Sequence, residues 1–275
     1  MTARADLHIH TYYSDGTNSP EEIIEIVRQR QLKAFSICDH DNLGGYLEAR
    51  SRLADNDPEL ISGVELSAGQ KNEDIHILGY FVDTDSDELN TALEKFREKR
   101  NLRGVEMLNK LKDLGIDLSY DYVKELAGRS AIGRPNVAEA LFRTKAVKSY
   151  QKAFDKYIGF NRPAYVPKAN MTPKEAMGLI HRAHGLAVLA HPGIANVGRY
   201  IDEFLTYGLD GIEVYHPNHN RSLQKTYLEL TIKKSILATG GSDYHGREGR
   251  YGEIGSQPVP SETVDALKNR LKYKN

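Results

Sequence analysis

Cysteine is nearly absent from this chain of 275 residues, which contains only Cys38, and tryptophan is missing altogether. A single cysteine excludes a disulfide within the chain and a zinc site built from several thiolates. The 16 tyrosines form no obvious stacking platform for a long nucleic-acid single strand. The formal net charge is −1, so no overall field attracts nucleic acid or a membrane surface, and an anionic substrate must be bound by local charge.

Long hydrophobic runs and targeting signals are also missing. No apolar run approaches the roughly 18 residues that span a bilayer, and the polar start runs directly into a predicted strand without an evident signal peptide. We therefore expect a cytoplasmic protein without a membrane partner, and no segment indicates a protein partner. The length suits one large α/β domain, alone or with an insertion.

Seven short segments rich in Ile, Val and Leu predict buried strands, because Gly, Pro, Asp or charged residues bound each of them. They are Asp6–His10, Ala34–Cys38, Leu60–Leu66, Ile75–Phe81, Leu186–Ala190, Gly211–Tyr215 and Ile236–Thr239. Helical stretches separate most of them, and Ser19 and Thr172 each begin a capping box followed by proline. This alternation predicts a parallel sheet with helices outside it.

One region interrupts the alternation. Residues 86–170 contain no convincing strand and predict several helices, and the stretch is too long for a loop in a compact domain. We expect a helical insertion that packs over one mouth of a barrel. Residues 1–85 and 171–275 would then form the barrel domain.

Imidazoles and carboxylates recur in or just after the predicted strands. His8 and His10 lie two apart on the first strand, so both side chains point to the same side. Strand ends and the loops that follow them converge on one site in barrel-like α/β folds. We therefore expect one cluster of nine candidate ligands. They are His8, His10, Asp15, His40, Glu65, His76, His191, Asp243 and His245.

This set of ligands predicts metal-dependent hydrolysis. Imidazole with carboxylate and without thiolate is typical of zinc, manganese or iron centres. A zinc-like ion takes about four protein ligands, so the set can serve three ions if Glu65 bridges two of them. Paired ions stabilise both the attacking and the leaving oxygen, as the very slow hydrolysis of a phosphate ester requires. We expect a phosphoesterase that uses a metal-bridging hydroxide, with Mn²⁺ as the first candidate and Fe²⁺, Zn²⁺ or Mg²⁺ as alternatives.

Catalysis and substrate binding are assigned to a smaller set. His191, His216 and Asp243 are the predicted catalytic residues. His216 stands outside the nine ligands; it could contact phosphate, protonate the leaving oxygen or simply end its strand. Arg134 offers a planar fork suited to phosphate oxygens.

Other polar residues carry weaker predictions. Asp39 either orients an imidazole or serves its loop. Lesser candidates for phosphate binding are Arg129, Lys168 and Arg199. The histidines interpreted as surface or packing residues are His181, His184 and His219.

The pattern resembles the PHP (polymerase and histidinol phosphatase) family. Residues 6–11 with 14–16 are similar to its first motif, and residues 39–41 to its second. Glu65 with His76 is similar to the third motif, and residues 243–245 to the last. The resemblance implies a distorted seven-stranded (β/α) barrel with a helical insertion and a site for three ions. The ligand sets that it implies are His8, His10, Glu65 and Asp243; Glu65, His76 and His191; and Asp15, His40 and His245.

Within this family the chain resembles a stand-alone bacterial group that removes the 3′-phosphate from nucleoside 3′,5′-bisphosphates. That group includes enzymes that trim short RNA from its 5′ end. The likeness depends on the insertion and on Gly133-Arg134-Pro135, followed by Asn136 where family members often carry histidine. It implies a small phosphorylated nucleotide as substrate, with short RNA as a further one.

Three other interpretations share some of these features. A histidinol-phosphate phosphatase would share the site but not the Gly-Arg-Pro segment. An amidohydrolase acting on a C–N bond also has His-x-His on its first strand, but it usually has eight strands and often a bridging lysine. No lysine ends a predicted strand here. A non-catalytic metal-binding module would be expected to lose ligands, and this chain keeps all nine.

Overall fold

The computed structural model describes residues 4–71, 73–167, 171–246, 252–257 and 259–273. Within them the chain forms one seven-stranded sheet, in which the strands follow one another in sequence order. The strands are β1 Ala5–Ile9, β2 Ala34–Ile37, β3 Glu59–Gln70, β4 Glu73–Tyr80, β5 Leu186–Leu189, β6 Gly211–Tyr215 and β7 Leu237–Gly240.

Helices connect most of these strands. They are α1 Pro20–Gln29, α2 Gly44–Arg52, α3 Asp87–Asp113, α4 Tyr120–Ala127, α5 Arg134–Arg143, α6 Tyr150–Ala153, α7 Pro173–Arg182, α8 Ile201–Leu205, α9 Arg221–Lys234 and α10 Glu262–Lys272. A π-helical segment spans Phe154–Ile158 and a 3₁₀ segment spans Ile194–Tyr200. The predicted capping boxes are confirmed: Ser19 and Thr172 each accept the backbone N–H of a glutamate three residues later. No helix among the described residues is both long and apolar enough to cross a membrane.

The expectation of an all-parallel sheet was wrong at one strand. β4 runs antiparallel to both β3 and β5, whereas the other neighbouring strands are parallel. β3 extends to Gln70 and β4 begins at Glu73. A parallel partner needs a crossover of about a dozen residues, whereas an antiparallel hairpin closes in two. The short connection therefore fixes the direction of β4.

The chain after β7 nearly closes the sheet into a barrel by returning to β1. Ile9 bridges to Tyr244, and the backbone N–H of the next residue donates to the Tyr244 carbonyl at 2.9 Å. A Cβ on Gly241 would collide with the backbone nitrogen of His8, so glycine permits this close approach. The predicted fold class, a distorted seven-stranded (β/α) barrel, is confirmed.

Asp6 stabilises the same junction. Its buried carboxylate accepts the backbone N–H groups of Ser242 at 2.9 Å and Gly255 at 2.8 Å. The two acceptors are different oxygens, so both ends of the carboxylate are engaged. Asp6 thus connects β1 to two segments that follow β7.

The chain divides into two compact units, residues 1–91 with 170–275 and residues 92–169. In the first unit most strand residues are buried, and helices such as α1 cover the sheet with Ile23, Ile24 and Val27. The second unit is helical and has its own core, in which Met107 and Leu141 are fully buried. Each unit therefore has its own hydrophobic core.

We predict that Asp6→Asn lowers the free energy of unfolding by about 1–3 kcal/mol, because the amide NH₂ would face a backbone N–H that the carboxylate now accepts. Urea unfolding measures this difference. The exposed Asp55→Asn provides the control, and it should stay within about 0.5 kcal/mol of the wild type. Equal unfolding midpoints for the two variants would show that Asp6 does not stabilise the junction.

Candidate metal centre

His8, His10, Glu65 and Asp243 lie together, as the first predicted ligand set requires. The Nε2 atoms of His8 and His10 are 3.1 Å apart. Both face Glu65 Oε2, at 3.4 and 3.3 Å. Both also face Asp243 Oδ1, at 3.5 and 3.2 Å. Side chains from β1, β3 and the turn after β7 therefore converge on one point.

Glu65 also contacts three further histidines. Its Oε1 lies 3.1 Å from His76 Nδ1 and 3.1 Å from His191 Nε2. Its Oε2 lies 3.0 Å from His40 Nδ1. Both oxygens of one buried carboxylate thus face imidazoles that come from β4 and from the turns after β5 and β2.

His76 reaches the cluster because β4 is antiparallel. His76 pairs with Ser67 near the C-terminal end of β3, two residues beyond Glu65. A parallel β4 would have placed its first residues at the opposite end of the sheet. The reversed direction, which the strand–helix alternation did not predict, is what brings an imidazole from inside a strand to the site.

Asp15 gathers the remaining histidines. Its Oδ1 lies 3.2 Å from His245 Nε2 and 3.7 Å from His10 Nδ1. Its Oδ2 lies 3.8 Å from His40 Nε2. All nine candidate ligands are therefore brought together.

Three groups within the cluster have ligand atoms that all lie within 4.8 Å of one another. They are His10, Asp15, His40 and His245; His8, His10 and Asp243; and His40, Glu65 and His76. His10 and His40 each occur in two groups, whereas the expected sets used each of them once. Neighbouring groups in the cluster thus share ligands, whereas three separate sites would not.

Two of the candidate ligands have unusual backbone conformations. His191 has φ 30° and Asp243 has φ 50°, in the left-handed region that costs non-glycine residues about 1–3 kcal/mol. Such conformations persist where surrounding contacts enforce them. At His191 the contact is a hydrogen bond from its backbone N–H to Glu213 Oε2 at 2.8 Å.

Glu213 was not recognised from the sequence. It lies on β6, is fully buried, and its Oε1 is 3.0 Å from His8 Nδ1. The available signal was a lone glutamate in an otherwise apolar buried strand, because charged residues are almost never fully buried unless they are paired.

Asp39, which follows β2, contacts the loop after β1 through its side chain. It accepts the backbone N–H of Thr11 at 2.8 Å and the hydroxyls of Thr11 and Ser14 at 2.6 and 2.5 Å. The side chain of Asp39 therefore fixes the turn that carries Asp15.

His216 lies at the edge of the cluster and is buried. Its Nε2 is 3.4 Å from Asp243 Oδ2, and its Nδ1 accepts the backbone N–H of Asn218 at 3.2 Å. Both ring nitrogens therefore have partners within the first unit. The roles predicted for His216 in catalysis and phosphate binding remain predictions.

The other predicted residues are distributed as follows. Arg134 is the first residue of α5, in the second unit, and Asn136 caps that helix by accepting the N–H of Gly133 at 2.8 Å. Arg199 pairs with Glu73 on the first unit. Arg129 is exposed in the turn between α4 and α5, and Lys168 lies outside the described residues.

Three histidines that we interpreted as surface or packing residues lie outside the cluster. His184 is exposed, and His181 contacts Asp210 at 2.9 Å. His219 is buried; its Nδ1 donates to the Val214 carbonyl, and its Nε2 accepts the N–H of Gly193 at 3.0 Å. His219 thus fixes the turn that begins with a candidate ligand.

Charges within the cluster shift the pKa values of its members. Burial opposes a charge on Glu65, but nearby imidazoles, first among them His40, outweigh it and hold the pKa of this carboxyl well below its usual range. Burial lowers the pKa of His76 to about 4. At neutral pH, Glu65 is therefore ionised and His76 is uncharged, which are the forms that bind metal.

The remaining groups respond to the same competition. For Asp15 and Asp243, nearby histidines outweigh burial and hold both carboxyl pKa values well below the usual range. Burial opposes a charge on His10, but the nearby carboxylates of Asp243 and Glu65 raise its pKa to about 10. Burial likewise opposes a charge on Glu213, and His8 outweighs it, so the pKa of Glu213 is lowered. The ionised carboxylates of the cluster are therefore stabilised by positive charge close to them.

The donor atoms fit divalent cations. Within the cluster, four buried atoms have no hydrogen-bond partner among the described residues: Asp15 Oδ1, His40 Nδ1, Glu65 Oε2 and His76 Nδ1. Buried polar atoms normally have partners, and an ion is one explanation where they do not. Histidine nitrogens and carboxylate oxygens are ligands of zinc, manganese and iron. The cluster is thus suited to bind such ions.

Comparison with known proteins agrees with this geometry. The PHP domain matches residues 6–184. A 5′-3′ exoribonuclease of Haemophilus influenzae is 30% identical over 250 residues, covering 89% of this chain and 91% of the relative. A 3′,5′-nucleoside bisphosphate phosphatase of Chromobacterium violaceum is 32% identical over 256 residues, covering 90% of each chain.

A solved structure resembles this chain over nearly all of its length. A protein of Bifidobacterium adolescentis, named as a metal-dependent phosphoesterase, gives a TM-score of 0.85 at 26% identity and covers 98% of this chain and 96% of its own. The family and the enzyme class expected from the sequence are confirmed. The chain belongs to the PHP domain family and is a metal-dependent phosphoesterase.

Proposed function

We propose that the chain removes the 3′-phosphate from nucleoside 3′,5′-bisphosphates, using up to three divalent cations held by the nine clustered side chains. The observation that carries this proposal is the position of Glu65. Its two oxygens lie within 3.4 Å of five imidazoles, so one carboxylate can bridge cations that different histidines hold. Closely spaced cations suit the hydrolysis of a phosphate ester.

The proposed ligand sets follow the family pattern. They are His8, His10, Glu65 and Asp243 for one cation; Glu65, His76 and His191 for a second; and Asp15, His40 and His245 for a third. When bound, cations supply a water activated at neutral pH and neutralise charge on the phosphoryl oxygens. Mn²⁺ is the first candidate, and Fe²⁺, Zn²⁺ and Mg²⁺ are alternatives, because these ligands accept several metals.

His191, His216 and Asp243 are assigned to catalysis in this proposal. Because Nδ1 of His216 accepts the Asn218 N–H, the neutral ring carries its proton on Nε2, 3.4 Å from Asp243 Oδ2. An N–H at this position can donate a hydrogen bond to a phosphoryl or leaving oxygen. His191 and Asp243 each have a left-handed backbone conformation, which sets the direction of the side chain.

The nucleotide substrate is supported by the Chromobacterium violaceum relative, whose name specifies nucleoside 3′,5′-bisphosphates. The Haemophilus influenzae relative, named a 5′-3′ exoribonuclease, supports a second activity on short RNA. Arg134 is assigned to phosphate binding, because its guanidinium can donate two parallel hydrogen bonds to phosphate oxygens. The cytoplasmic location expected from the sequence belongs to the same proposal.

We predict that Mn²⁺ raises the thermal midpoint of the metal-free protein, since it binds the folded cluster and not the unfolded chain. Binding contributes about 2.7 kcal/mol when the free metal is 100 times its Kd. Calorimetry before and after adding Mn²⁺ measures the rise, which His40→Ala should reduce. His181→Ala, outside the cluster, should keep it. A wild-type midpoint that does not respond to any of the four metals would contradict the proposed centre.

We predict that metal-replete protein releases phosphate from 3′,5′-bisphosphoadenosine faster than from histidinol phosphate. It should also shorten a 5′-phosphorylated RNA. Asp243→Ala should remove turnover while circular dichroism stays unchanged, because a ligand is lost without a change in the core. Asp202→Ala, at an exposed position on α8, is the matched control and should remain active. Faster turnover of histidinol phosphate would show that the proposed substrate is wrong. Cleavage of an amide without release of phosphate would show the same.

We predict that Arg134→Ala raises KM for the bisphosphate by about 10- to 100-fold, the cost of lost hydrogen bonds to a charged group, with kcat nearly unchanged. Steady-state kinetics at saturating metal separates the two constants. Arg143→Ala, on the same helix and exposed, should leave both unchanged. Unchanged constants in Arg134→Ala would show that its assigned role is wrong.

A further inference from the structure

Glu213 contacts two candidate ligands without belonging to any ligand set. It lies on β6 with no solvent exposure. Its Oε1 is 3.0 Å from His8 Nδ1, and its Oε2 accepts the backbone N–H of His191 at 2.8 Å. One buried carboxylate thus connects β1 to the turn after β5.

The contact with His8 fixes which ring nitrogen carries the proton. His8 Nε2 faces Glu65 Oε2 at 3.4 Å and Asp243 Oδ1 at 3.5 Å, so this is the nitrogen that turns toward the cluster. A cation there requires a lone pair on Nε2, and the proton must then lie on Nδ1. A carboxylate that accepts the second N–H of a metal-binding histidine fixes the ring and raises its basicity.

The contact with His191 fixes a backbone instead of a ring. His191 has φ 30°, and the hydrogen bond to Glu213 holds its peptide in this left-handed conformation. The imidazole of the same residue places Nε2 3.1 Å from Glu65 Oε1. The orientation of a second ligand therefore depends on the same glutamate.

We propose that Glu213 is a positioning residue for the metal centre, which sets cation affinity by orienting His8 and His191 together. The inference rests on the metal centre proposed above. A carboxylate is required because both partners are hydrogen-bond donors. Glutamine offers one acceptor and one donor group, so whichever way its amide turns, one N–H of a ligand residue meets another N–H.

The chain supplies a matched control three residues earlier. Asp210 Oδ2 accepts the backbone N–H of Ala187 at 2.9 Å and lies 2.9 Å from His181 Nε2. Like Glu213, Asp210 is buried and contacts one backbone N–H and one imidazole. Neither His181 nor Ala187 is one of the nine candidate ligands.

The test compares Glu213→Gln and Asp210→Asn with the wild type. Each protein is stripped with EDTA, dialysed against a series of free Mn²⁺ concentrations, and its bound metal is measured by plasma mass spectrometry. Urea unfolding in EDTA reports stability without metal. We expect Glu213→Gln to weaken Mn²⁺ binding by about 10- to 100-fold. Asp210→Asn should bind Mn²⁺ as the wild type does, even if it loses similar stability in EDTA.

Each other outcome overturns a specific statement. Unchanged Mn²⁺ affinity in Glu213→Gln would overturn the role of Glu213 and leave the metal centre intact. If both variants bind Mn²⁺ equally more weakly than the wild type, the cause is a general loss of packing between β5 and β6. This result would also overturn the positioning role of Glu213. A wild type that binds no Mn²⁺ would overturn the manganese centre itself. If Glu213→Gln does not fold, Glu213→Asp is measured by the same criteria, because its shorter side chain cannot reach both partners.

Discussion

The buried carboxylate of Glu65 is the interaction on which the site depends. An isolated carboxylate in this position would cost several kcal/mol of desolvation, and here five imidazoles within 3.4 Å compensate it. These imidazoles come from β1 and β4 and from the segments that follow β1, β2 and β5. A single charged group in the middle of β3 therefore stabilises segments that are far apart in sequence. Because the Glu65 carboxylate needs these imidazoles around it, it fixes the positions of the segments at this end of the barrel.

A second layer of buried carboxylates holds those segments in place. Each accepts the backbone N–H of a residue in or beside a segment that carries candidate ligands. The pairs are Asp6 with Ser242, Asp39 with Thr11, Asp41 with Ser67 and Glu213 with His191. Because a hydrogen bond between a carboxylate and a peptide is directional, these pairs fix loop geometry more firmly than apolar packing would. The left-handed conformations of His191 and Asp243 are tolerated within this framework.

Much of this arrangement could be predicted from the sequence, and the limits have physical causes. Strand periodicity and the repeated histidines predicted seven strands and a cluster of nine side chains, because both patterns are local. The direction of β4 was missed, since the strand–helix alternation was extended to a pair of strands with no helix between them. Glu213 was missed because its partners, His8 and His191, are distant in sequence. Pairing across a barrel depends on register, which local patterns do not contain.

The structure separates two kinds of acidic residue that look alike in the sequence. Among the described residues, Asp15, Glu65 and Asp243 face imidazoles, which hold the pKa of each carboxyl well below its usual range. Asp6 and Asp39 accept backbone N–H groups, and burial raises the pKa of each. The lone pairs of the second kind are used by the protein itself, whereas those of the first kind remain available to cations. Acidic residues that lie near the same site can therefore differ in role. The groups that face each carboxylate decide which role it has.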